Sequence, residues 1–205
     1  MSKYGLSQAP VFKEQGDIYQ TSPFGKRTLN GKVVNHKGVD VVRYIGYNAL
    51  ATIVAIAGGK VTAVKNTVQG VDHKSNLAGN YVAIDHGGGI VTKYYHLKYG
   101  SIPAAVKVGA TVKKGDTIGY MGNTGDSYGA HLHFQIEQNG TPIDGAPYLK
   151  GQKVIGGGNN GGTLKADLAV LQKKGVINSP DYWEKTAPAV KYLPDLIHNM
   201  AEALK

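Results

Sequence analysis

The chain has no cysteine. That absence excludes disulfide staples, thiolate metal sites and a cysteine nucleophile together, so any metal centre must be built from histidine and carboxylate. The most apolar stretch, Ala49 to Ala57, is less than half of the roughly 20 residues a helix needs to span a bilayer. No membrane insertion is expected. The opening Met-Ser-Lys-Tyr-Gly-Leu-Ser-Gln turns polar without the apolar core of a secretory signal, which predicts a protein that stays in the cytoplasm where it is made. Arginine is scarce, with only Arg27 and Arg43, and there is no long block of like charge. Both features speak against duplex recognition, and no nucleic-acid partner is expected.

What is present is a basic chain of 205 residues with 23 Lys+Arg against 14 Asp+Glu, a net charge of +9. The balance favours an anionic partner such as an acidic polymer. The excess is spread out: 16 basic and 9 acidic residues precede residue 151, and 7 and 5 follow it. The length suits one domain of about 150 residues with a small appendage. The Gly/Asn-rich run 151–162 reads as a flexible linker between them.

In residues 1–150, short β-branched runs alternate with glycine turns. Ala51–Ala57 and Lys60–Lys65 flank Gly58-Gly59, and Asn80–His86 and Ile90–Leu97 flank Gly87–Gly89. Both read as hairpins, and further strands are expected at Thr117–Met121 and Leu132–Glu137, so this part is predicted to be mostly antiparallel β. In residues 163–205 the period changes. Leu164, Leu168 and Leu171 recur at helical spacing between a Thr163 cap and Gly175. A second helix is expected from Ser179-Pro180 and a third from Pro194, carrying Leu196, Ile197, Met200 and Leu204. Three short helices bury little surface, so this module would be marginal alone.

The histidines carry the chemistry. In His131-Leu-His-Phe-Gln-Ile the two imidazoles fall two apart on a strand, hence on one face. His36 and Asp40 are four apart, which on a continuous strand would separate them by about 13 Å. Sharing an ion requires a bend at Lys37-Gly38, with His36 from a loop and Asp40 from the first residues of a strand. Two histidines and a carboxylate with an open position suit catalytic zinc. His36, Asp40 and one of His131 or His133 form that set, with the other histidine beside it. His96, near the end of a strand, is a further candidate.

The ordered segments Ser22-Pro-Phe-Gly-Lys-Arg27, His36-Lys-Gly-Val-Asp-Val41, Tyr95-His-Leu97 and Gly122 to Phe134 resemble the lysostaphin-type zinc metalloendopeptidases, which are peptidoglycan hydrolases. The resemblance runs from about Ser22 to Leu149. It implies a compact antiparallel β core with a groove over zinc, His36, Asp40 and His133 as zinc ligands, and His131 and His96 as catalytic histidines. It also implies cleavage of a peptide bond in the cross-bridge or stem peptide of bacterial peptidoglycan; the net charge of +9 suits a wall threaded with anionic polymers, and a monomer is expected for an enzyme acting on an insoluble polymer. Without an export signal, such an enzyme would reach the wall once the membrane is opened, as a phage endolysin does, and 163–205 would be either a wall-binding module or an appendage that completes the core. The alternative is a non-catalytic member of the same fold that binds the wall or activates another hydrolase. Gln135 stands where the family often has an acidic residue, and is not expected to touch a ligand. His86 is read as structural, and His73 and His198 as surface residues.

Overall fold

The computed structural model describes residues 2–3, 10–14, 16–29, 31–43, 51–155 and 164–186, together with Ile197 and Ala201. The chain divides into two compact units, Met1–Lys153 and Val154–Lys205. In the first unit the strands are β1 (Ser2–Lys3), β2 (Ile18–Ser22), β3 (Gly25–Leu29), β4 (Lys32–His36), β5 (Val39–Arg43), β6 (Thr52–Val54) and β7 (Gly59–Lys65). They continue with β8 (Asn80–Asp85), β9 (Ile90–Leu97), β10 (Thr111–Val112), β11 (Thr117–Tyr120), β12 (Leu132–Gln138) and β13 (Thr141–Ile143), followed by the short helix α1 (Ala146–Leu149). A nine-stranded sheet runs β1-β2-β5-β12-β9-β8-β7-β10, with β13 paired to β12 off this path. Its neighbours are antiparallel, as the alternating runs predict.

The centre of the sheet follows from alternation along β12. Leu132, Phe134 and Ile136 are fully buried on one face, each contributing on the order of 1.5–3 kcal/mol of apolar burial. His133, Gln135 and Glu137 fall on the other face and line an open groove. Register does the rest. His133 stands opposite Asp40 of β5 on one side and opposite Tyr95 of β9 on the other, so three chemically active side chains form one row across the sheet.

The β8–β9 hairpin forms as expected, with His86 N–H bonded to Ile90 O across the glycine turn. The expected hairpin through Gly58-Gly59 does not. Strand β6 pairs with β11 in a separate two-stranded sheet, and β7 pairs with β8 and β10. The cause is burial on both sides. Every residue from Ala51 to Ala57 is buried, so this run passes through the interior between sheets and has no solvent face to alternate with. Its corner is tied down by polar side chains. Tyr94 Oη accepts from Ile56 N at 3.0 Å and lies 3.2 Å from Thr92 Oγ1, while His86 Nδ1 donates to Gly58 O at 2.7 Å and its Nε2 meets Thr92 Oγ1 at 2.7 Å. His86 is consumed by this structural network.

The second unit contains α2 (Leu164–Lys173) and α3 (Pro180–Thr186). Leu168 and Leu171 form a small buried cluster with Ile197 and Ala201, both helical, and Val170, Ile177 and Trp183 pack against it. Helix α2 ends at Lys173 and is closed by Gly175, whose φ of +72° permits the bond from Val176 N–H back to Leu171 O at 2.8 Å. The expected cap at Thr163, most of the linker, and Leu196, His198, Met200 and Leu204 of the third helix lie outside the described residues.

Candidate metal centre and groove

The sequence His36-Lys-Gly-Val-Asp40 forms a tight connection between two strands. His36 is the last residue of β4, held there by pairing with Gly25 of β3, rather than a loop residue as expected. Asp40 is the second residue of β5. Gly38 between them is required by space, because a Cβ there would lie 2.5 Å from His133 Nε2 and 2.7 Å from Phe134 O. The bend therefore depends on a residue without a side chain.

Three donor atoms converge at this bend. His36 Nε2 is 2.9 Å from His133 Nδ1 and 3.1 Å from Asp40 Oδ1, and His133 Nδ1 is 2.9 Å from Asp40 Oδ1. All three residues are buried. His36 Nδ1 lies 2.7 Å from Pro23 O, a carbonyl that can only accept, so Nδ1 carries a proton and Nε2 is the nitrogen turned to the carboxylate. A proton on Nε2 or a cation between the two atoms satisfies that buried contact. The triangle also has nearly the size of a tetrahedron edge, about 3.3 Å, around an ion with ligand distances near 2.0–2.1 Å. Two imidazoles and a carboxylate are a donor set suited to zinc. The residues present fit the ion, and His36, Asp40 and His133 would hold it.

Burial alone would raise the Asp40 carboxyl, but hydrogen bonds from His133 and His36 outweigh it and hold the group well below the usual carboxylate range. Asp40 stays ionised. Its second oxygen, Oδ2, faces Arg27 Nη1 at 3.3 Å, and Arg27 also donates to Ser22 Oγ. On the other side of the triangle, Gln135 Oε1 stands 3.5 Å from His133 Nε2. Its amide is oriented by Glu137, which accepts from Gln135 Nε2 at 2.6 Å and is itself paired with Lys93 at 2.6 Å. Gln135 thus does approach a histidine of the donor triangle, contrary to the sequence expectation, because the strand alternation that aims His133 into the groove aims Gln135 there too.

The remaining two histidines flank the triangle. His131 Nδ1 donates to Gly129 O at 2.8 Å, which leaves the bare Nε2 3.7 Å from Asp40 Oδ1. His96 Nδ1 donates to Thr124 O at 2.7 Å, leaving its Nε2 bare as well. The two rings are 4.7 Å apart. Burial, reinforced by His131, pushes His96 down to about 4, so it is neutral across the neutral range. Backbone at His96 is unusual, with a φ of +63°, a left-handed conformation that costs about 1–3 kcal/mol for a non-glycine residue. That twist breaks the alternation of β9. Thr92 and Tyr94 face the core, and by parity His96 would join them; instead it lines the groove beside Tyr95.

Tyr95 stacks flat on His133, with centroids 5.4 Å apart and an 11° interplanar angle, and burial followed by Glu137 raises its hydroxyl to about 12. The groove encloses about 950 Å³ and is open to solvent, with the β3–β4 hairpin on one wall and residues 126–131 on the other. His73 is exposed, as expected, and bonds Asp126 at 2.6 Å on the rim. Arg27, Lys93 and Glu137 were given no role by the sequence. Their signal was register and alternation, since all three face the ligand row.

The Peptidase family M23 model matches residues 34–145, a span that includes His36, Asp40, His96, His131 and His133. The chain is 35% identical over 123 residues to the peptidoglycan DD-endopeptidase ShyB of Vibrio cholerae, covering 60% of this chain and 25% of that protein. It is 34% identical over 157 residues to lysostaphin of Staphylococcus simulans, covering 74% of this chain and 27% of that one. The chain therefore spans about a quarter of the length of these curated relatives. In fold it resembles the structure of the SpoIIQ–SpoIIIAH pore-forming complex, with a TM-score of 0.54 at 21% identity over 70% of this chain and 90% of that one. With a zinc-suited donor triangle inside a family match that covers more than half of its length, the chain belongs to Peptidase family M23.

Proposed function

We propose that the protein is a zinc-dependent endopeptidase that hydrolyses a peptide bond in the cross-bridge or stem peptide of bacterial peptidoglycan. The observation that carries this reading is the His36–Asp40–His133 triangle at the floor of an open groove, with two bare imidazole nitrogens beside it. When bound, zinc supplies the Lewis acidity that peptide hydrolysis needs. His131 Nε2, fixed as an acceptor by Gly129 O, takes the proton of the attacking water and delivers it to the leaving amine. His96, neutral and also an acceptor at Nε2, orients that water. The named activity of ShyB, a peptidoglycan DD-endopeptidase, supports peptidoglycan as the substrate.

The net charge of +9 supports attraction to a wall threaded with anionic polymers. In this reading the protein is a phage lysis enzyme that acts once the membrane is permeabilised, and the helical unit tethers it to the wall. Deleting residues 163–205 should then reduce wall pulldown without lowering the melting transition of the first unit.

The decisive experiment is mass spectrometry of fragments released from purified peptidoglycan of several chemotypes. New amino termini should appear with the wild type, vanish with chelator and with His131→Ala, and return when zinc is restored to the wild type. A folded, zinc-loaded protein that releases no fragment from any wall would overturn the peptidase reading in favour of a binding or activating role.

A further inference from the structure

Two residues of β9, Tyr95 and His96, stand against the single residue Tyr81 of β8, because the register moves from Val82↔Tyr94 to Asn80↔Leu97. His96, with its φ of +63°, sits in this β-bulge, and a bulge re-aims a side chain out of the alternation of its strand. A non-glycine residue persists in that conformation only where its surroundings over-determine it. Here those surroundings are polar and buried.

Thr124 holds the bulge from two sides. Its carbonyl accepts from His96 Nδ1–H at 2.7 Å, and its hydroxyl donates to Leu97 O at 2.8 Å while accepting from Asn80 N–H at 2.9 Å. One residue thus grips both the ring of His96 and the backbone that follows it. Asn80 completes the clasp: its Nδ2 donates to Leu97 O at 3.2 Å and to Val68 O at 2.8 Å, and its Oδ1 accepts from Val68 N–H at 2.8 Å. His96 N–H is itself bonded to Ala78 O at 3.0 Å. The close approach depends on Gly79, where a Cβ would collide with both the carbonyl and the hydroxyl of Thr124.

The ring nitrogen that is bonded fixes which nitrogen is left bare. We propose that Thr124 is the positioning residue of His96: its carbonyl keeps the proton on Nδ1 and its hydroxyl locks the bulge, so that the bare Nε2 is aimed into the groove. This rests on the peptidase reading above, and it assigns the orientation of a groove histidine to a buried residue outside the groove lining. A methyl in place of the hydroxyl would leave Asn80 N–H without its acceptor and Leu97 O without one of its two donors.

The test is made on the full zinc-loaded chain. Long-range proton–nitrogen NMR of the wild type should show His96 as a neutral imidazole with its proton on Nδ1. Thr124→Val, equal in shape but without the hydroxyl, should bring in the Nε2–H form and slow the release of new amino termini from purified peptidoglycan about 10²-fold at unchanged zinc affinity. Thr124→Ser, which keeps the hydroxyl, should restore both tautomer and rate. A wild-type His96 protonated on Nε2, a valine variant that keeps the single Nδ1–H form, or a serine variant as impaired as the valine variant would each overturn the proposal. If the valine variant fails to fold, Thr124→Ala takes its place, and the wild-type spectrum remains decisive. The tautomer readout needs no turnover, so its failure is separable from that of the peptidase reading, which is decided by fragment release with the wild type.

Discussion

Arg27 Nη1 lies 3.3 Å from Asp40 Oδ2, the carboxylate oxygen that takes no part in the contacts with His36 and His133. The guanidinium thereby fixes which oxygen of Asp40 faces the histidines. Partners of this kind orient a ligand, and their loss costs about 10–100-fold in metal affinity. Arg27→Gln should weaken zinc binding by about that factor, as read by competition with a chromophoric chelator. Arg27→Lys should recover part of the affinity, since both Ser22 and Asp40 accept from the single nitrogen Nη1 and an ammonium nitrogen keeps the charge and can donate to both. Unchanged affinity in the glutamine variant would mean that the triangle holds Asp40 unaided.

His131 and His133 are two residues apart on the same face, yet they should fail differently. His133 belongs to the donor triangle, whereas His131 Nε2 stands 3.7 Å from Asp40 Oδ1. His131→Ala is expected to lower kcat/KM by about 10²–10⁴-fold with zinc affinity close to wild type. His133→Ala should lose both. Measuring metal content and peptide cleavage on the same preparations separates the roles, and a zinc-free His131→Ala protein would reverse the assignment.

How much of this could be read in the sequence depends on whether the signal was local. The alternation of Leu132 and Phe134 against His131 and His133 is local, and it gave both the strand and the face that the two histidines share. The bend between His36 and Asp40 was legible from Gly38. Pairing was not. The run Ala51–Ala57 has no alternation to read, because both faces are covered, and the hairpin inferred from Gly58-Gly59 gave way to pairing with β11, more than 60 residues along the chain. Arg27 and Glu137 escaped for the same reason, since their partners Asp40 and Lys93 are distant in sequence. His96 stood as a candidate near a strand end, and only the resemblance gave it a catalytic role. Strand parity would have sent it into the core with Tyr94, and nothing in the flanking residues announces its left-handed backbone.

Gly38 offers a steric test of the bend. An alanine Cβ would meet His133 Nε2 at 2.5 Å and Phe134 O at 2.7 Å, and the latter is backbone in the middle of the sheet. Overpacking of this kind costs about 1–3 kcal/mol, and relief requires His133 to move off the triangle. Gly38→Ala should therefore lower the melting temperature and abolish zinc-dependent cleavage together. Gly31→Ala is the control, being in the preceding turn with open space around a Cβ but a φ of +75°; it should cost stability through backbone strain alone and leave zinc affinity intact.

His96 predicts how the stability of the zinc-free protein responds to acid. Burial, with a further contribution from His131, lowers its folded value to about 4 from an ordinary 6.5. Between those values the unfolded chain binds a proton that the folded chain refuses, so unfolding takes up protons and stability rises with pH. The contribution of His96 is present in full above about 6.5 and is lost as pH falls towards 4. Replacing it with asparagine, which tolerates the positive φ better than most residues, removes the titrating group while sparing the backbone. Urea unfolding in the presence of chelator, at several pH values across this window, should show a shallower slope for His96→Asn than for the wild type. Identical slopes would mean that the folded chain protonates His96 as readily as the unfolded one, and the neutral acceptor assigned to the attacking water would have to be sought elsewhere.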